Sequence, residues 1–260
     1  MKKYMKLYKE TIRSSITRST AYRANFILGI LVSLLSNVIF PLVTLLIYKS
    51  GASFKGWNMY EVLLVQSIFT ISQGIAGMLF SGIVWSTMSY VAEGTLEIVL
   101  IKPVNCLFYL LATNFNISEI GIVLGGVIIL VIAVANIGHV VLVNVCLCLL
   151  LFFVGLFVML GIMLLMAATS FKWVSNSRIP EIYDSVANLG NYPQSIFPKW
   201  IVGITSFIMP VAMIGFFPAN ALLGRMESWM YISVIPCALF LAFGIALYQY
   251  MVRLYEGVGG

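Results

Sequence analysis

Charge is what this sequence is shortest of. Only 9% of its 260 residues are Asp, Glu, Lys or Arg, against roughly a quarter in an ordinary soluble domain. A chain this short has enough surface that its exposed helix faces require polar cover, and this one lacks the residues to supply it. Histidine is nearly absent too. His139 stands alone, so a His-based metal site or a Ser-His-Asp triad has little to be built from. The Gly-x4-Gly-Lys-Ser/Thr phosphate loop does not occur, and potassium-filter sequences are missing. These absences argue against a soluble domain, a self-contained enzyme and a pump that hydrolyses its own nucleotide. If the chain moves something uphill, the energy comes from another chain or from an ion gradient.

Cysteine is sparse and uninformative. Cys106 is expected near the cytoplasmic face, while Cys146, Cys148 and Cys237 sit in apolar runs. The Cys146-x-Cys148 pair has no second Cys pair or His beside it to complete a metal site, so small buried side chains are the simpler reading.

What is present is apolar: 61% of residues are hydrophobic and the mean hydropathy is +1.03. Charge-free runs cover residues 24–48, 62–92, 120–171, 200–224 and 228–252. A helix crossing the hydrocarbon core needs about 20 apolar residues. Four of the runs fit one crossing each, and 120–171 fits two around the polar turn at Asn136, Gly138 and His139. The expectation is an all-α polytopic membrane protein with six crossings, at 26–48, 62–84, 107–135, 141–169, 200–220 and 229–251, in one transmembrane domain spanning 1–260. The basic N-terminal stretch is too long for a cleaved signal peptide, and the first apolar run is long enough to stay in the membrane.

The basic residues set the orientation. Seven of the fifteen (Lys2, Lys3, Lys6, Lys9, Arg13, Arg18 and Arg23) precede the first apolar run. With the N-terminus inside, Lys102, Lys172, Arg178, Lys199 and Arg253 join them, leaving Lys49, Lys55 and Arg225 outside, a split of 12 against 3. Both termini are therefore expected in the cytoplasm. The net charge of +6 then reflects topology and anionic lipid headgroups rather than nucleic acid.

Lys2, Lys6, Lys9 and Arg13 recur at helical spacing, with Tyr4, Leu7, Tyr8, Thr11 and Ser15 on the other side. Residues 1–23 thus read as an amphipathic helix lying in the membrane interface, an anchor that also has room to touch a cytoplasmic partner. In the crossings, Asn37, Gln66 and Gln73 are polar. Gln66 and Gln73 are seven apart and share a face, either as glue between helices or as the lining of a substrate path. Two placements of Glu119 fit the spacing: inside the membrane if the third crossing starts near Leu107, or at its border. The polar Asn114, Asn116 and Ser118 favour the border. Pro218 interrupts the run after the fifth crossing, as expected of a kinked or re-entrant element.

Residues 86–105 break the apolar pattern. Glu93, Glu97 and Lys102 fall within ten residues and Pro103 follows. Leu96 with Leu100, and Glu93 with Glu97, sit at i, i+4, so the segment reads as a short docking helix between the second and third crossings. It contains Glu93-Gly-Thr-Leu-Glu97 and Leu100-Ile-Lys-Pro-Val-Asn105. A second motif is Tyr192-Pro-x-Ser-Ile-Phe-Pro-Lys-Trp200, with Pro210 and Phe217-Pro-Ala-x-x-Leu-Leu-Gly224. Together these resemble the permease subunits of bacterial ABC-2 type transporters, in the branch that includes drug and viologen exporters. The resemblance covers nearly the whole chain.

That resemblance implies a mechanism. Two permeases pair, as a homodimer or with a related subunit, in the cytoplasmic membrane. Two copies of a separate ABC ATPase bind beneath them and hold the ATP and Mg, so this chain binds no cofactor itself. The segment at Glu93, Gly94, Leu96, Glu97, Leu100, Lys102 and Pro103 is expected to couple ATP-driven motion to the crossings, the glutamates meeting basic ATPase residues and Leu96 and Leu100 filling an apolar groove. Few fixed charges in the crossings suit a lipophilic or amphipathic cargo. A gradient-driven carrier and a non-transporting scaffold or sensor are the alternatives.

Overall fold

The computed structural model describes residues 2–138, 140–173 and 178–256, with residues 2–7, 18 and 179 as backbone only. His139, the side chains of Lys2, Lys3, Lys6 and Arg18, and the C-terminal Gly257, Gly259 and Gly260 lie outside the described residues. The chain opens with α1 (Lys2–Ala21), then α2 (Arg23–Ser36) and α3 (Ile39–Lys49). These are followed by α4 (Met59–Ala92), α5 (Glu97–Leu100), α6 (Cys106–Thr113), α7 (Ile120–Ile137) and α8 (Leu142–Ser170). The last part holds α9 (Arg178–Ala187), α10 (Lys199–Gly203), α11 (Phe216–Leu222), α12 (Ser228–Ile232) and α13 (Val234–Arg253).

Among the described residues, five helical stretches are long and apolar enough to cross a membrane: Arg23–Lys49, Met59–Ala92, Ile117–Ile137, Leu142–Ser170 and Ser228–Arg253. The bundle has two distinguishable ends. At the base, Phe171 after α8 stacks edge-on against Tyr248 and Tyr255 of the C-terminal segment, and α1 packs across α6. At the opposite end, the crown, Trp57 packs on Phe216 and Phe217 on Trp229.

α4 is the central element, and its start is well specified. Asn58 accepts hydrogen bonds from the backbone N–H groups of Tyr60 and Glu61, while Glu61 accepts one from the N–H of Asn58 at 2.9 Å, a capping box. Its 34 residues rise about 51 Å at 1.5 Å each, well beyond the roughly 30 Å hydrocarbon core. The second crossing expected at 62–84 is therefore part of a longer helix that carries the following turn out past the bilayer.

Two expected crossings differ in form. The stretch at 26–48 is bent between α2 and α3, where Pro41 has no N–H to offer the carbonyl four residues back at Asn37. Asn37 turns its own amide onto the Ser33 carbonyl at 2.8 Å. The third crossing does not start at Leu107. α6 ends at Thr113, an irregular stretch follows, and the membrane-length helix begins at Ile117. Gly82 of α4 leaves so little room that an added Cβ would run into Asn114, which fixes that break against the bundle.

The largest departure is at 200–220, expected as one helix. It is instead α10, a π-helical turn Ile204–Ile208, a single turn Val211–Met213, and α11. Pro210 removes a donor in the middle of the run, and its ring opposes helix continuation. Pro218 sits in the first turn of α11, where a missing N–H is tolerated. Irregular backbone of this kind survives at membrane depth only under protein cover, and residues 210–221 are buried throughout. Gly190 and Gly215 make that cover possible. A Cβ at Gly215 would lie 2.9 Å from the Gly190 carbonyl and 2.9 Å from that of Val65, and one at Gly190 would strike the Val211 carbonyl.

Candidate functional site

Three places concentrate polar chemistry, and they differ in openness. The first is the base turn after α4. Gly94 adopts φ 65°, a conformation that L side chains avoid. Its N–H donates to Val91 and the Thr95 N–H donates to Tyr90 at 2.8 Å, a Schellman closure of the helix. Ser89 donates to the Glu93 carboxylate at 2.7 Å. α5 follows, and Asn105 caps α6 by accepting from the Phe108 N–H at 3.3 Å. The Lys102 ammonium lies 3.8 Å from the centre of the Tyr109 ring and also bonds its hydroxyl.

Leu96 corrects the expectation that it faces a partner. It is 0% exposed, packed with Val99, Leu110, Leu164 and Tyr248, and it nails the turn onto the bundle. The exposed apolar side chains are Ile98, Leu100 and Ile101, the last 81% exposed, with Glu93, Glu97 and Pro103 exposed around them. The i, i+4 spacing misassigned Leu96 because the chain turns at Gly94 and α5 begins only at Glu97. Beside the turn lies an open hollow of ≈ 490 Å³ lined by Val91, Phe171, Lys172 and Tyr255. Burial pushes the nearby Cys106 thiol above its ordinary range, which keeps it protonated and poorly nucleophilic.

The second place is an internal cavity of ≈ 170 Å³ among α4, α8, α9 and the start of α7. Its walls include Phe69, Trp85, Met159, Met163 and Met166, and its polar groups are Gln73, Glu119, Asp184 and Asn188. Methionines give such a wall adaptable shape. Asn116 donates to Glu119 at 3.2 Å, and Gly77 leaves the space its carboxyl group fills, since a Cβ there would lie 3.2 Å from the Glu119 Cγ. Glu119 thus stands at the start of the crossing, as the border placement has it, yet its side chain faces the interior.

The polar residues expected along a substrate path are not brought together. Gln73 lines the cavity. Gln66 is fully buried, donating to Thr44 at 2.8 Å, and ties α4 to α3. Asn37 borders a separate apolar groove of ≈ 380 Å³ with Pro41, Met59 and Ile129. Asp184 and Asn188 were not singled out as site residues from the sequence; they lie between two membrane-length helices, in the connection between the fourth and fifth expected crossings. The amphipathic pattern of Arg178–Ala187 was the available signal.

The third place is the crown, which is closed. Arg225 donates to Glu61 at 2.6 Å, joining the end of α11 to the capping box of α4. Ser72 donates to the Ile214 carbonyl at 3.1 Å, so the irregular segment is tied to α4 at two depths. The arrangement is a bundle with its interior shut at one end and hollow toward the other, with no catalytic constellation among the described residues.

No curated protein sequence and no solved structure matches the chain. Residues 25–259 match the ABC-2 family transporter protein model. That match takes in all of the membrane-length helical stretches except the first two residues of Arg23–Lys49, and the chain therefore belongs to the ABC-2 family of membrane transporter proteins.

Proposed function

We propose that this chain is the permease subunit of an ATP-driven exporter, with ATP and Mg held by a separate ABC ATPase chain and the base of the bundle in the cytoplasm. The family match over residues 25–259 carries the reading. The base turn supports it: Ile98, Leu100 and Ile101 present apolar surface with Glu93 and Glu97 beside them, a mixed face suited to a protein partner. Docking there reaches α4 directly, since Gly94 and Leu96 lock the turn to its end. A second permease copy completes the assembly, in the cytoplasmic membrane of a bacterium. The methionine- and aromatic-walled cavity, hollow toward the base, suits an amphipathic or lipophilic cargo taken from the cytoplasmic leaflet.

The test is a mild-detergent purification of the tagged chain from its native host, followed by mass spectrometry. A co-purifying subunit with a phosphate-loop sequence, lost in the Glu93→Lys, Glu97→Lys double variant, is the expected result. Glu119 in the cavity wall favours one competing reading, a gradient-driven carrier. There Glu119→Gln abolishes transport while transport proceeds without ATP hydrolysis, and no ATPase co-purifies.

A further inference from the structure

Between α9 and α10 the chain passes inside the bundle as two 3₁₀ turns, Asn188–Asn191 and Gln194–Ile196, joined by extended backbone at Tyr192. Printed contacts fix where it sits. A Cβ added at Gly190 would stand 3.4 Å from the Phe69 ring of α4, and Tyr192 meets Phe40 of α3 edge-on with ring centres 6.2 Å apart. The carbonyls of Val65 and Gly190 turn toward one point, the missing Cβ of Gly215. Gln66 follows Val65 on the α4 wall, and Asn191 follows Gly190 in the turn. Gln194 closes the junction from the side of Thr205 and Ser206.

The three amides at this junction share a defect. Gln66 is 0% exposed, Asn191 2% and Gln194 6%. Among the described residues, the Oε1 of Gln66, the Oδ1 of Asn191 and the Oε1 of Gln194 have no hydrogen-bond partner. The orientation of Gln194 is settled by its neighbours. Its nitrogen donates to Thr205 at 3.2 Å and to Ser206 at 2.9 Å, while the Thr205 hydroxyl donates to the Ile201 carbonyl at 2.8 Å. Thr205 therefore has only a lone pair to offer, and the Gln194 amide cannot be turned over. Gln66 likewise uses its nitrogen, on Thr44 at 2.8 Å. Buried amide oxygens are normally paired, and leaving them bare in an apolar interior is costly. Three at one junction call for an occupant that is positive or donates protons.

A single water brings two protons to three oxygens, whereas a cation meets all three at once. None of the three side chains is charged, which is a poor match for a divalent ion, since calcium and magnesium sites use carboxylates. Alkali cations are held by neutral carbonyl oxygens in potassium filters and where membrane helices unwind. Gln66 stands about 10 Å down α4 from its crown end, at 1.5 Å per residue. Phe69 and Asn188, which border the junction, also wall the internal cavity, and that gives an ion an approach from the base past Gln73 and Asn188.

We propose that this junction binds one alkali cation on the oxygens of Gln66, Asn191 and Gln194, and that the ion fastens the broken segment to α4. The site belongs to the chain by itself and stands whether or not the cavity carries the proposed cargo.

The test is thermal unfolding of the purified full-length chain in detergent, in sodium, potassium or choline chloride at one ionic strength of about 0.15 M. The melting temperature is expected to be about 3–6 °C higher in sodium or potassium chloride than in choline chloride, and to rise with the logarithm of the ion concentration. Asn191→Leu, close in volume and without the oxygen, should abolish that difference. Gln66→Glu should enlarge it, because a carboxylate holds a cation more tightly than an amide does. Where Asn191→Leu does not fold, the wild-type series and Gln66→Glu decide. Equal melting temperatures in the three salts, an unchanged salt difference in folded Asn191→Leu, or Gln66→Glu destabilised alike in every salt overturns the proposal and leaves water as the occupant.

Discussion

The crown and the base of this bundle are built from the same few residue types and behave as opposites. At the crown, Phe216, Phe217 and residues 210–215 fill the interior, and Ser72 and Glu61 tie them to α4. At the base, the same α4 faces methionines across open space, with Gln73 and Glu119 in the wall. Around Phe217 and Met213, both fully buried, the crown leaves no gap, whereas the thioethers of the base wall border open space and can adapt to what enters it. A transporter needs both, one end shut while the other admits cargo.

The sharpest way to break that contrast is to cut one side chain from each end. Phe217 is fully buried, and Phe217→Ala should cost about 3–5 kcal/mol. Met163→Ala, in a wall already open, should cost about 1 kcal/mol. Thermal unfolding in detergent measures both, at about 2–4 °C per kcal/mol for a chain of this size. Equal losses would mean the cavity wall is packed as tightly as the crown.

Weaker effects are expected along the crown tie. Arg225 is about half exposed while Glu61 is buried, so solvent screens the pair and Arg225→Ala should cost of order 1 kcal/mol. A double-mutant cycle with Glu61→Gln isolates the ion pair itself, and no coupling would show that the capping box alone holds Glu61. Asn58→Ala removes that cap and should cost about 1 kcal/mol. The smallest stability effect belongs to the base turn. Glu93→Lys with Glu97→Lys, both exposed, should move stability by less than about 0.5 kcal/mol while removing the proposed ATPase partner from the purified complex. A large drop in melting temperature would instead make the turn a structural element.

Legibility from sequence followed the same division. The membrane-length helices were readable because each is a continuous apolar run, and the base turn was readable as a break in the pattern between Ser86 and Asn105. Leu96 was misread because i, i+4 spacing assumes an unbroken helix, and Gly94 turns the chain just before it. Residues 200–220 were misread because hydropathy counts apolar residues without asking whether their backbone can stay helical; Pro210 answers that, but only the neighbouring carbonyls of Val65 and Gly190 show where the broken pieces go.

Composition by itself determined that this chain belongs in lipid, since too few charged residues exist to cover a soluble surface. Its motifs determined the family resemblance that the match over residues 25–259 bears out. Only the tertiary structure decided which polar residues act together. Gln66 became a tie to Thr44 and Gln73 a cavity wall, although seven residues and one helix face join them. Periodicity specifies the face a side chain occupies, but what that face meets depends on helix crossings and backbone breaks distant in sequence, and those are set by packing.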